Sequence, residues 1–180
     1  MNNSTDGVTL YAAFIQDVLK NYQDIGDDYQ ELLNFTKGYD ISQPFNKIPM
    51  KVYNDMCSWI EENLGKFNLI RVGRNIGETA YQSMLENKLF ASDATPHEIM
   101  KGLVVVASQM IQDTSGRGWV IVDYGNNYLI MQRTQTFNSI LQLGLLDGLI
   151  RKTGASGIKV EYVKEVANGD EYDEYKISWI

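Results

Sequence analysis

The sequence is poor in the residues that covalent stabilisation and most side-chain chemistry require. Cys57 is the sole cysteine, which excludes an intramolecular disulfide and gives no reason to expect an oxidising compartment. His97 is the sole histidine, so imidazole acid–base chemistry and histidine metal clusters have one candidate between them. No apolar run approaches the ~20 residues that span a bilayer. The most apolar stretch, residues 140–150, is interrupted by Gln142, Asp147 and two glycines. Basic clusters are missing as well. The 16 Lys and Arg are scattered among 23 Asp and Glu, for a net charge of -7, so neither nucleic acid nor an anionic membrane is expected as a partner. The first residues are polar and carry no basic start leading into an apolar stretch, so no signal peptide is recognisable and the expected location is cytoplasmic.

What is present suits a globular core: 44% hydrophobic and 22% charged residues. With no repeat, linker or low-complexity tract, residues 1–180 are expected to form a single domain, helical over 1–115 and ββαββ over 116–180. Leu10, Phe14 and Val18, then Tyr29, Leu32 and Leu33, recur at helical spacing with a break at Gly26 and Asp27. A helix is expected from Pro49, carrying Met50, Tyr53, Cys57, Ile60 and Leu64 on one stripe and ending at Gly65. Residues 67–89 read as a further helix with Gly73 and Gly77 one turn apart. Thr95-Pro96-His97-Glu98 is the strongest start signal, a capping box with proline at the first helical position. Ile99, Leu103, Val106 and Met110 follow as its buried stripe.

Beyond Gly118 the period becomes that of strands. Residues 119–124 and 128–134 read as one hairpin about Gly125-Asn126-Asn127, and residues 158–166 and 172–179 as a second about Ala167-Asn168-Gly169-Asp170. Between them, residues 137–150 place Phe137, Ile140, Leu141, Gly144, Leu145, Gly148 and Leu149 on one helical face. Glycine costs about 1 kcal/mol against alanine in a helix, so two on that face imply a backbone approaching the sheet closely. The expected class is α+β: N-terminal helices packed with a ββαββ unit whose hairpins form one four-stranded antiparallel sheet.

Sites for catalysis are scarce. His97 sits in a first helical turn and reads as a surface residue, and Cys57, on an apolar stripe, reads as a buried inert thiol. Paired acids such as Glu161 and Glu165 have no spacing that suggests a role. The acidic run Asp170, Glu171, Asp173, Glu174 lacks the pattern of a calcium loop and reads as a solvated edge that discourages strand pairing. No metal site and no catalytic residue is therefore expected. What remains is apolar surface for a pocket between helices and sheet: Tyr81, Met84, Leu103, Met110, Trp119, Met131 and Phe137, with Arg133 to anchor an acidic group. The same side chains equally suit a filled core.

The segment 144–149, the strand 158–166 and the hairpin 169–175 resemble the end of the 4-vinyl reductase small-molecule-binding domains. Gly73-Arg74-Asn75-Ile76-Gly77 with its helix is similar to an element of the transport-complex (TRAPP) Bet-type subunits. Both belong with the haem nitric-oxide-binding domains in one superfamily of ligand-binding α+β folds, and the resemblance covers residues 72–179. It implies a ligand-binding fold without the superfamily's special groups. Cysteines of the reductase type are absent at Glu165, at Asp173 and near Phe137, and the acylated cysteine of the Bet type is absent near Ala94 and Thr95. The haem type carries an axial histidine on the helix before the sheet and a Tyr-x-Ser-x-Arg strand. Here His97 falls at the wrong end of that helix, and Leu129-Ile130-Met131-Gln132-Arg133 keeps the arginine alone, so no haem and no other cofactor is expected. The expected function is a non-catalytic bacterial sensory or regulatory domain that binds a small apolar or amphipathic ligand. The alternatives are a homodimeric interaction module without ligand and a haem-based gas sensor.

Overall fold

The computed structural model describes residues 4–133 and 136–180. Strand β1 (Thr9–Tyr11) leads directly into α1 (Ala12–Lys20), and residues 21–25 turn the chain into α2 (Gly26–Asn34), so Gly26 opens the second helix instead of standing in the break. Strand β2 (Lys47–Pro49) precedes α3 (Met50–Leu64). Pro49 fixes the entry to α3 at φ -56, and Gly65 ends it at φ 90, a conformation that side-chain-bearing residues rarely adopt. Helix α4 (Lys66–Glu86) follows at once, then α5 (Pro96–Met110) and β3 (Ile111–Gln112). The expected capping box is formed: the Thr95 amide donates to the Glu98 carboxylate at 2.8 Å, and the Glu98 amide donates to the Thr95 hydroxyl at 3.4 Å. Such a cap contributes about 1 kcal/mol. The three short strands join in the order β2-β1-β3, a small sheet that ties together the starts of α1 and α3 and the end of α5.

The C-terminal third is ββαββ. It comprises β4 (Trp119–Gly125), β5 (Tyr128–Arg133), α6 (Ser139–Arg151), β6 (Lys159–Lys164) and β7 (Asp173–Ser178), with a single 3-10 turn at Val166–Asn168. The antiparallel sheet runs β4-β5-β7-β6. Thr134, read as the end of a strand, lies outside the described residues. Register sets Tyr162 opposite Tyr175 and Val160 opposite Ile177. Tyr175 and Ile177, on the inner face, are fully buried. Strand alternation therefore puts the apolar set against α6, as the sequence implies.

The glycines of α6 do not meet the sheet. A Cβ on Gly144 would strike the carbonyl oxygen of Ile70, and one on Gly148 that of Arg74. Reciprocally, Cβ atoms on Gly73 and Gly77 would strike the carbonyls of Leu141 and Leu145. Four glycines thus let α4 and α6 run in parallel, backbone on backbone, and the same face that was expected against the strands faces a helix. The sheet meets the other side of α6, where Leu146 and Ile150 are fully buried. A helix covered on both sides needs no polar face, which is why nine of its residues are buried. At the rim of the α4–α6 contact, Asp147 accepts from Arg74 and, at 3.0 Å, from Arg151.

The acidic run is also corrected. Asp173 and Glu174 are buried, not solvated. The β5–β7 pairing sets Arg133 opposite Asp173. Asp173 accepts from the Arg133 guanidinium and from the Val166 amide at 2.9 Å, and Glu174 pairs with Lys164 at 2.8 Å. Buried carboxylates require such partners.

Candidate ligand cavity

Between α1, α4, α5 and α6 the packing leaves a cavity of about 250 Å³, just below the ~300–1,000 Å³ of ligand clefts. Its apolar end is an aromatic cluster from three separate segments. Phe14 of α1 meets the edge of Tyr53 of α3 at 6.2 Å, and Phe137, just before α6, lies 5.4 Å from Tyr53. Leu103, Val106 and Met110 of α5 and Trp119 of β4 close the wall opposite. The i, i+3, i+7 spacing on α5 brings those three to one face. Trp119 is held by Tyr175 at 5.7 Å.

Two buried polar groups interrupt this lining. Gln142 on α6 is 2% exposed and Tyr53 is 1% exposed, and both line the cavity. Among the described residues neither the Gln142 amide nor the Tyr53 hydroxyl has a hydrogen-bond partner. Burial raises the Tyr53 phenol well above its usual range, with Cys57 and Asp17 adding to the effect. Burial also pushes the Cys57 thiol far up, with Glu61 reinforcing it.

Beside the cavity, between α1 and α4, lies a polar recess of about 340 Å³. Asp17, Lys20, Ile76 and Thr79 belong to both spaces, and Arg71, Asn21 and Asn75 complete the recess. Burial raises the Asp17 carboxyl above its usual range, while Lys20, 3.4 Å away, pulls it back down.

Of the side chains singled out in the sequence, Leu103, Met110, Trp119 and Phe137 lie on the cavity wall. The other four lie elsewhere. Tyr81 stacks on Phe90 at 5.1 Å, Met84 is buried beside Gly102, and Met131 is fully buried on the inner face of β5. Arg133 is not available as an anchor: it donates to Asp173 and to the Phe137 carbonyl inside the protein. Sequence reasoning missed Phe14, Tyr53 and Gln142. The first two sit on helical stripes that read as core, and Gln142 reads as a flaw in an apolar run.

His97 lies outside the cavity. Its ring packs between Tyr124 at 5.6 Å and Trp179 at 5.4 Å, and Nε2 lies 2.9 Å from the Gly125 carbonyl. It is thus half-buried in an open groove between α5 and the first hairpin, and not a solvated surface residue. Among the described residues no three His, Cys, Asp or Glu converge as a metal site, and no helix is long and apolar enough to cross a membrane.

No family model matches the chain, and no curated protein matches it in sequence. Solved structures do match. A structure concerned with heme distortion in the H-NOX family aligns at 15% identity and TM-score 0.64, covering 94% of this chain and 95% of that one. An oxygen-binding H-NOX domain related to soluble guanylate cyclases aligns at 17% identity and TM-score 0.61, covering 93% and 91%. An Fe(II) unliganded H-NOX protein variant from K. algicida aligns at 14% identity and TM-score 0.65, covering 95% and 97%. These neighbours overturn the expectation of no cofactor: haem is a candidate for this fold. The earlier exclusion rested on two lost motifs, whereas the enclosing walls come from the packing of whole helices. The donors available fit haem in one respect and not in another. Met110 lines the cavity with a thioether, a donor that haem iron accepts, whereas the Tyr53 phenol is held protonated by burial and does not offer the phenolate that binds iron. The sole imidazole, on His97, is outside the cavity. Across 94% of its length this chain has the fold of the H-NOX domains.

Proposed function

We propose that this chain, as one domain, is a non-catalytic sensory module that responds to a small molecule held in the cavity between α1, α4, α5 and α6, with haem as the first candidate. The observation that carries the reading is the Gln142 amide. It is almost wholly buried, it lines the cavity among aromatic and aliphatic side chains, and no described residue bonds to it. An occupant with a hydrogen-bonding group can pair with that amide, a bond worth about 0.5–1.5 kcal/mol. Haem is supported by the likeness to heme-containing neighbours and by the Met110 thioether on the cavity wall. When bound it would supply an iron centre for diatomic gases, while this chain's residues would enclose its ring and exclude water.

The position of His97 favours a second reading, an apolar or amphipathic ligand without iron. Haemin titration followed by absorption and native mass spectrometry separates the two. One equivalent bound with an intense Soret band, altered in Met110→Leu, supports haem. A different added mass without that band supports the second reading. A bare homodimer with no added mass, indifferent to haemin, overturns both in favour of an interaction module.

A further inference from the structure

The space that would hold a ligand is not uniform, and its two ends ask for different chemistry. The inner end is walled by aromatic and aliphatic side chains. The outer end, between α1 and α4, carries two cations, Lys20 and Arg71, against one acid, Asp17. That excess of positive charge lies on a chain whose net charge is -7. The two ends share Asp17, Lys20, Ile76 and Thr79, so they adjoin. Lys20 reaches Asp17 at a loose 3.4 Å and keeps most of its side chain in solvent. An ammonium so placed can turn to a stronger partner at little cost, since exposed pairs are worth about 0–1 kcal/mol. Arg133, the cation nearest the apolar end in sequence terms, is already paired with Asp173. An anionic group on the ligand is therefore met at the α1–α4 opening and not beneath the sheet.

Resting on the cavity reading above, we propose that the ligand is an amphipathic carboxylic acid, with its apolar body in the cavity and its carboxylate in the recess at Lys20 and Arg71. The test uses decanoate and 1-decanol, each titrated calorimetrically below its aggregation limit into the full chain. Decanoate is expected to bind about 3- to 10-fold tighter than decanol, as two partly exposed ion pairs allow. Added salt is expected to erode that advantage. In Lys20→Gln/Arg71→Gln the two ligands become equal, while Val106→Trp, which fills the inner end, abolishes both. Should the double variant not fold, the salt dependence of the wild-type chain decides the matter. Equal binding of acid and alcohol, insensitive to salt and to the charge variants, overturns the proposal but leaves the cavity reading intact. Decanoate binding that survives Val106→Trp, or no binding of either probe, overturns it too, and the absence of both counts against the cavity reading as well.

Discussion

Replacing Gly144 by alanine tests the α4–α6 contact more sharply than any deletion. In an open helix the change stabilises by about 1 kcal/mol, because alanine is the better helix former. Here the added Cβ would strike the Ile70 carbonyl oxygen and sit 2.8 Å from the Arg74 amide nitrogen. Neither atom belongs to a side chain that could rotate away. Restoring ordinary separation requires the two helices to part by roughly 1 Å, which also loosens the contacts at Gly73, Gly77 and Gly148. Overpacking costs about 1–3 kcal/mol and sometimes more, and with backbone as the obstacle the net loss is expected to be about 2 kcal/mol. For a chain of this size that lowers Tm by roughly 4–8 °C. Thermal unfolding followed by circular dichroism should rank three variants. Gly26→Ala, in open space at the start of α2, stays level or rises; Gly102→Ala, facing Met84 and Phe90 side chains at 3.3 Å, changes little; Gly144→Ala falls. A Gly144→Ala protein as stable as wild type refutes the backbone-on-backbone packing.

Three further outcomes follow from the buried polar groups. Arg133→Met leaves Asp173 buried without its counter-ion, the Val166 amide alone remaining, and should cost about 3–5 kcal/mol in urea unfolding, whereas Arg133→Met/Asp173→Leu should lose much less. The fold raises the Asp17 carboxyl, burial being the larger cause, so the folded state binds that proton more tightly than the unfolded chain does. Its contribution is present below the ordinary value of 3.8 and is lost as pH rises through the raised one. Asp17→Asn should therefore have a higher Tm than wild type at pH 7, with the gain vanishing near pH 3; a loss at pH 7 contradicts it. Cys57, fully buried with its thiol pushed far up, should resist Ellman's reagent at pH 8 until denaturant is added.

Local rules carried the sequence reading where neighbours in the chain decide the outcome. The capping box at Thr95, the stop at Gly65 and both hairpins depend on a few adjacent residues and were legible. The three-stranded sheet was not, because strands of two or three residues contain no alternation to detect, and they pair across as many as 103 positions, as Thr9 does with Gln112. The α6 glycines announced a close approach but not its target: glycine states that something is near, and two covering layers compete for the same helix. Asp173 was misread because strand alternation alone does not reveal that register sets Arg133 opposite it. For the cavity, residues on α5 followed from helical spacing. Gln142 did not, since an amide in an apolar run gains meaning only when the space beside it is known.

The glycine contact also limits how the domain can respond to an occupant. Two backbones touching without intervening side chains behave as one stiff beam, because sliding either helix by a fraction of a turn drives a Cα into a carbonyl. Adjustment to a ligand must then fall on α1 and α5, which meet the cavity through side chains and are stitched to each other through the small β2-β1-β3 sheet. Hydrogen exchange should show it: occupancy slows amides in α1 and α5 while leaving the α4–α6 beam unchanged.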